Sequence, residues 1–337
     1  MPLRSSCLSL SDLVGACQNP WSADPFFELS RYPFLLLDMD SDPPMLDDIQ
    51  MEKILHFLHE VPCPTLGMAR RGTEVPPQLT AALDVVAQDE RELQRIIGNI
   101  EAHPVTAAIL VQVLRHNEHS TVYDGLLVES MAYGKLQFGQ DFRTYLSTRN
   151  PPELCQEADP VLVSREQNSL QISLNRPQHL NAYSAGMRDA FYEALMLLAS
   201  DMTLTNAQVR GTGTCFCTGG ELGEFGLVTD PARAHLIRMS RSVPLLLAHL
   251  ADRVEFHVHR ACIGSGIELP AFARRVVATE DTFFQLPEIN MGLIPGAGGT
   301  VSILRRIGRH RMASLALSAR RINAKTALAW GLIDEIE

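Results

Sequence analysis

Two glutamates stand where an acid is costly. Glu288 follows Pro287 inside the apolar run Phe284-Gln285-Leu286-Pro287-Glu288-Ile289. Acidic side chains are rarely buried unless they are paired or used. Glu268 follows the small-residue turn Gly264-Ser265-Gly266, in the first turn of the helix that this turn opens. There the helix dipole favours its negative form. A third stretch, Cys215-Phe216-Cys217-Thr218-Gly219-Gly220-Glu221-Leu222, puts paired glycines between a predicted strand and a predicted helix. Glycine lets the backbone approach a ligand closely. A free N–H at a helix start is a ready donor to a negative oxygen. Two carboxylates and two such turns can supply an acid, a base and an oxyanion hole. Taken alone, the Gly-Gly pair reads equally as an ordinary tight turn.

Other residue groups carry less chemistry. Asn175-Arg176-Pro177-Gln178-His179-Leu180-Asn181-Ala182 reads as a turn with a helix cap. Cys215 and Cys217 have no second pair at zinc spacing, and the close histidine pairs (56/59, 116/119, 257/259) have no third ligand nearby. Catalytic zinc needs three protein ligands, so no metal is expected.

The elements that must position these residues fall into two textures. Phe34-Leu35-Leu36-Leu37-Asp38 suits a buried parallel strand. A helix over 49–59 and a second strand over 64–69 complete a β-α-β outline. Residues 79–150 read as helical, with Leu79, Leu83, Val86, Leu93, Ile96, Ile97 and Ile100 at helical spacing. Asn150-Pro151-Pro152-Glu153 reads as a linker. Beyond it, Val161-Leu162-Val163 and Leu170 to Leu174 bracket a hairpin turn, and a helix is predicted from Ser184 to Leu198. Short strands, glycine loops and helices then alternate, which argues for an α/β core.

In this order and spacing the three stretches resemble the crotonase (enoyl-CoA hydratase/isomerase) superfamily, over about residues 160–337. The run Pro287-Glu288 to Ile294-Pro295-Gly296-Ala297-Gly298-Gly299-Thr300 is the most specific part. The resemblance implies a crotonase-like ββα spiral core at 158–337, with an N-terminal α/β and helical extension at 1–150. It implies Glu268 and Glu288 as the catalytic pair, with backbone N–H groups of Gly220 and Ser265 as the oxyanion hole. It implies substrate or CoA contacts at Arg176, Leu180, Ala182, Thr218, Gly219, Glu221, Gly264 and Gly296. Gly223 stands where a lysine is frequent in the family, which removes one expected phosphate or adenine contact.

The implied activity is hydration of a 2,3-enoyl-CoA, with Glu268 as base on water and Glu288 as proton donor to C2. Alternatives are a crotonase-fold dehydratase or thioesterase, a cofactor-independent dioxygenase, and a non-catalytic scaffold subunit. No cofactor is implied beyond the coenzyme A of an acyl-CoA substrate, and the family pattern implies a homo-oligomer, a trimer or hexamer. Family members continue past the position of Glu337 with further helices that complete the acyl pocket. Helices from the 79–150 stretch are expected to take that place. Residues 33–72 further suggest a decayed partial repeat of the core, or else a generic β-α-β piece.

The 337 residues carry a net charge of −10. Such an acidic balance argues against nucleic acid or an anionic membrane as partner. Seven cysteines at irregular spacing fit a reducing, cytoplasmic setting. Residues 1–20 lack the pattern of a signal peptide, and no run is long and apolar enough to span a membrane.

Overall fold

The computed structural model describes residues 7–17, 32–39, 46–68, 76–150 and 159–337. Most of the 1–30 lead-in, Ala69, Cys155 and the linker residues Pro151-Pro152-Glu153 lie outside these. Packing divides the chain into two compact units: Met1–Arg115 with Arg309–Ser318, and His116–Gly308 with Ala319–Glu337. The division falls inside a helix, Pro104–Asn117, and not at the expected boundary near residue 150.

The first unit holds β1 (Cys7–Leu8), α1 (Leu10–Ala16), β2 (Leu35–Asp38), α2 (Asp48–Glu60), β3 (Thr65–Met68), α3 (Pro77–Ala82), β4 (Val85–Ala87), α4 (Glu90–Ala102) and most of α5 (Pro104–Asn117). The helix Arg309–Ser318 joins it. The four strands form one parallel sheet in the order β1-β2-β3-β4. The β-α-β outline therefore holds, but the wholly helical reading of 79–150 does not: Val85-Val86-Ala87 pairs with Leu66-Gly67-Met68. Two β-branched valines and a vacant strand edge outweigh a helical spacing that Val86 satisfies only by coincidence.

Asp84, buried at the start of β4, accepts from the Thr65 N–H at 2.8 Å and from Thr65 Oγ1 at 2.9 Å. It also binds Arg115 Nε at 2.9 Å and Arg309 Nη1 at 3.1 Å. Arg115 further donates to the carbonyls of Val61 and Cys63, and Arg309 to those of Leu83 and Ala81. Every charge in this buried cluster is paired, the condition under which buried ions are tolerated.

The second unit starts with α6 (Val122–Leu136) and α7 (Gln140–Ser147). The hairpin β5 (Val161–Glu166) and β6 (Ser169–Leu174) follows as expected, turning at Gln167 with φ +55°. Next come α8 (Ala185–Ser200), β7 (Asn206–Gly211), α9 (Pro231–Ser240), α10 (Val243–His249), β8 (Val254–Val258), β9 (Ala261–Ile263), α11 (Ser265–Glu268), β10 (Arg275–Ala278), β11 (Phe283–Gln285) and α12 (Gly299–Ile307). With the helix Arg309–Ser318 counted as α13, β12 (Ile322–Asn323), α14 (Ala324–Trp330) and β13 (Glu335–Ile336) close the chain order. Trp330 to Asp334 is the end of α14 and a turn.

One sheet runs β13-β10-β8-β7-β6-β5 and a smaller one β12-β11-β9. The chain winds between them. β8 enters the large sheet, β9 the small one, and α11 follows; β10, β11 and α12 repeat the sequence. This is the ββα repeat. Phe256 on β8 anchors the core beneath it, edge-on to Phe191 and Phe216 at centroid distances of 6.4 and 6.1 Å. The described cysteines are free thiols. No single helix among the described residues is long and apolar enough to cross a membrane.

Candidate active site

Parallel pairing in the small sheet gathers the three sequence stretches. Cys217 bridges Cys262 in parallel, and β9 pairs with β11 in parallel, Ile263 opposite Gln285. Each strand then runs off the same end of the sheet into its loop: Thr218-Gly219-Gly220, Gly264-Ser265, and Leu286-Pro287-Glu288. A cavity of about 660 Å³ opens there. Thr218, Gly219, Gly220, Gly264, Ser265, Glu268, Glu288 and Gly296 all line it, so eight of the twelve expected site residues converge.

Gly264 shows why glycine is required. Its φ is +51°, and a Cβ there would lie 2.7 Å from Glu288 Oε1 and 3.7 Å from Glu268 Oε1. The two carboxylates thus face one small space beside the backbone. Gly264 N–H is spent on the Gln285 carbonyl at 3.0 Å. The amides of Gly220 and Ser265 have no acceptor among the described residues.

Glu268 Oε2 accepts from the N–H groups of Ala297 and Gly299, at 2.8 and 2.9 Å. Glu288 Oε2 is buried with no hydrogen-bond partner. Burial pushes both carboxyls upward, Glu288 to about 8 and Glu268 well above the ordinary glutamate range, and the nearby Glu288 adds to the rise at Glu268. Such a pair releases its protons in two steps that belong to both groups.

A third carboxylate, missed in the sequence, completes the loop. Glu129 on α6 accepts from the Gly298 N–H at 2.7 Å, the Thr300 N–H at 3.0 Å and Thr300 Oγ1 at 2.6 Å. Four successive amides, 297 to 300, are therefore held alternately by Glu268 and Glu129 at the start of α12. Burial raises Glu129 to about 7. Its signal was present: an acid inside Leu126-Leu127-Val128-Glu129-Ser130-Met131, the same anomaly that marks Glu288.

Leu126, Ser130, Tyr133 and Gln137, from α6 and its C-terminal turn, and Tyr145 from α7 form one wall. From the 79–150 stretch, then, α6 and α7 reach the cavity that holds Glu288. Tyr133 packs so tightly on Gly296 that a Cβ there would lie 2.5 Å from its ring. Among the described residues no cluster of three or more His, Cys, Asp or Glu is arranged to hold a metal ion.

Four expected ligand residues are placed elsewhere. Arg176 is buried and pairs with Glu221 at 2.9 Å, while its Nη1 also donates to the Ala182 carbonyl at 2.5 Å. Glu221 also accepts from the Gly223 N–H at 3.1 Å. Leu180, left-handed at φ +51°, is half exposed and outside the cavity. The Asn-Arg-Pro stretch is a latch: Asn181 accepts from the Arg176 N–H and donates to the carbonyls of Thr212 and Cys215.

Residues 164–337 match the sequence profile of the enoyl-CoA hydratase/isomerase family, and this chain belongs to that family. It is 31% identical over 179 residues to 2,3-dehydroadipyl-CoA hydratase of Escherichia coli, covering 52% of this chain and 68% of that one. It is 31% identical over 176 residues to mevalonyl-coenzyme A hydratase of Aspergillus fumigatus, covering 50% of this chain and 62% of that one. A crystal structure of an enoyl-CoA hydratase of Mycobacterium smegmatis aligns with 29% identity and a TM-score of 0.48, over 52% of this chain and 69% of that one.

Proposed function

We propose that the protein adds water across the 2,3-double bond of an enoyl-CoA thioester. The observation that carries this is the convergence of Glu268 and Glu288, both buried, on the space beside Gly264. The free amides of Gly220 and Ser265 lie in the same cavity and would receive the thioester oxygen. Each such donor is worth about 3–4 kcal/mol where charge develops. Leu180 and Ala182 keep the chain positions that the family resemblance gives to the CoA end.

The carboxylates divide the work by their partners. Two N–H donors on Glu268 Oε2 oppose the rise that burial and the neighbouring carboxylates impose on it, and Glu288 Oε2 has no such donor; the hydration step needs Glu268 ionised and Glu288 protonated. Water attacks C3 and gives a proton to Glu268. The π-electron pair moves towards C2 and the carbonyl, leaving an enolate oxygen at the two amides. Glu288 then protonates C2. Water has been added, Glu268 is protonated and Glu288 ionised, and return of one proton resets the pair. A pure scaffold has no need of two carboxylates in such a place.

Incubation with crotonyl-CoA is expected to abolish the enoyl-thioester absorbance, and Glu268→Gln to stop it. Persistent absorbance with crotonyl-CoA and with longer and aromatic enoyl-CoAs would overturn the proposal. A pH–rate profile adds a second check. With Glu288 raised to about 8, activity is expected to fall as pH rises through about 8 and its proton is lost. The acid limb, where Glu268 gains its proton, is expected above the ordinary glutamate value of about 4.3. An alkaline limb unchanged in Glu288→Gln would remove Glu288 as the acid.

A further inference from the structure

Three arginines line the cavity and none takes part in the hydration step: Arg188 pairs with Asp189, and Arg241 with Asp189 and Glu193, which leaves Arg238 as the one of the three without a carboxylate partner among the described residues. Arg238, on α9, lines the cavity half buried. Its Nε donates to Ser130 Oγ at 2.9 Å and its Nη2 to the Ser130 carbonyl at 3.1 Å. Ser130 Oγ, accepting from Arg238, has its own proton for His235 Nδ1 at 2.9 Å. The guanidinium carbon lies 5.4 Å from the centre of the Tyr133 ring. That ring packs on Gly296, so Arg238 stands one aromatic ring away from the loop that holds Glu268.

These contacts fix the guanidinium without neutralising it. Among the described residues no carboxylate lies within ion-pair distance of Arg238, and Nη1 has no partner. Glu129 acts on Arg238 through its charge but makes no ion pair with it, because both of its oxygens are turned to Gly298 and Thr300. Gln137 Oε1 and Tyr183 Oη, of residues that line the same cavity, are also buried without partners. Arginine does not give up its charge. A cation whose hydrogen-bond partners are neutral has room for an anion, and the guanidinium fork matches a carboxylate with two parallel hydrogen bonds.

We propose that Arg238 binds a carboxylate at the far end of the acyl chain, so that the substrates are CoA thioesters of dicarboxylic acids. The inference rests on the acyl-thioester reading of this cavity but not on the reaction performed there. It is tested by calorimetric binding of saturated esters, which need no turnover. Succinyl-, adipoyl- and suberoyl-CoA are compared with butyryl-, hexanoyl- and octanoyl-CoA, on wild type, Arg238→Met and Arg238→Lys.

In wild type the best carboxylated ester is expected to bind at least about tenfold tighter than its neutral counterpart, about 1.4 kcal/mol. Arg238→Met is expected to erase that preference while holding the neutral ester within about twofold of its wild-type affinity. Arg238→Lys keeps a point charge without the fork and is expected to retain part of the preference; it carries the test if Arg238→Met does not fold. Equal or tighter binding of neutral esters by wild type overturns the proposal. So does equal weakening of both classes in Arg238→Met, or an unchanged preference in Arg238→Lys. If no CoA ester binds, the thioester reading fails and this inference with it. If esters bind as expected but crotonyl-CoA is not hydrated, only the hydratase reading fails.

Discussion

Glu288→Gln is expected to lower kcat for enoyl-CoA hydration by about 10²- to 10⁴-fold, the usual weight of a positioned general acid, and to raise the melting temperature at alkaline pH. Both effects come from one oxygen. Glu288 Oε2 is buried without a partner, which suits a proton donor awaiting substrate and suits stability poorly once ionised. The folded protein holds this carboxyl at about 8, against about 4.3 in an unfolded chain. Between those values the folded state binds the extra proton. Its contribution to stability is full below about 4.3 and is lost as pH rises through about 8. Glutamine cannot ionise and escapes that loss. Relative to wild type, the variant is expected to gain about 2–4 kcal/mol between pH 5 and pH 9. Paired melting curves at the two pH values read this directly. A difference that does not grow with pH would show that Glu288 carries no such proton.

Glu129→Ala is expected to have the largest effect on stability, a loss of about 3–5 kcal/mol in urea unfolding. Truncation strands the Gly298 and Thr300 amides and the Thr300 hydroxyl, each costing about 1–3 kcal/mol when buried without an acceptor. Relief of a buried acid raised to about 7 offsets part of this. Activity is expected to fall as well, although Glu129 acts only through the loop. Its two amides alternate with the two that hold Glu268, so freeing one set loosens the other. Glu129→Gln is expected to fall between, since it keeps one acceptor oxygen and turns an NH₂ towards a donor. An unchanged urea midpoint with unchanged kcat in Glu129→Ala would remove the residue from this role.

The meeting of Glu268 and Glu288 in one cavity was legible because acid, glycine and proline stand together in short segments whose local geometry is nearly forced. Gly264 is the clearest case, since its left-handed backbone and missing Cβ both serve the carboxylates beside it. Arg176 misled for the opposite reason. Its type suits a phosphate, but only tertiary packing reveals that it is buried with its Nη1 held by Glu221 and the Ala182 carbonyl. Glu129 stands out as an acid in an apolar run, but its partners were hidden by distance: nothing in the sequence says that it will meet amides some 170 residues later. Arg238 had no signal at all, since α9 reads as an ordinary solvated helix until its cavity is seen. β4 was lost because three residues are too few to set a period against the helical spacing around them.

The pairing of Asp84 with both Arg115 and Arg309 has a consequence for how the chain is made. The first unit is discontinuous, and one of the two cations that its buried aspartate needs is encoded 225 residues downstream of it. At ribosomal rates of about 5–20 residues per second, Arg309 follows Arg115 by roughly 10–40 s. During that interval the nascent first unit carries a half-neutralised buried acid and lacks its last helix. It is therefore the later segment that locks the earlier one, and a ribosome stalled before residue 309 would hold an N-terminal portion open to chaperones and proteases.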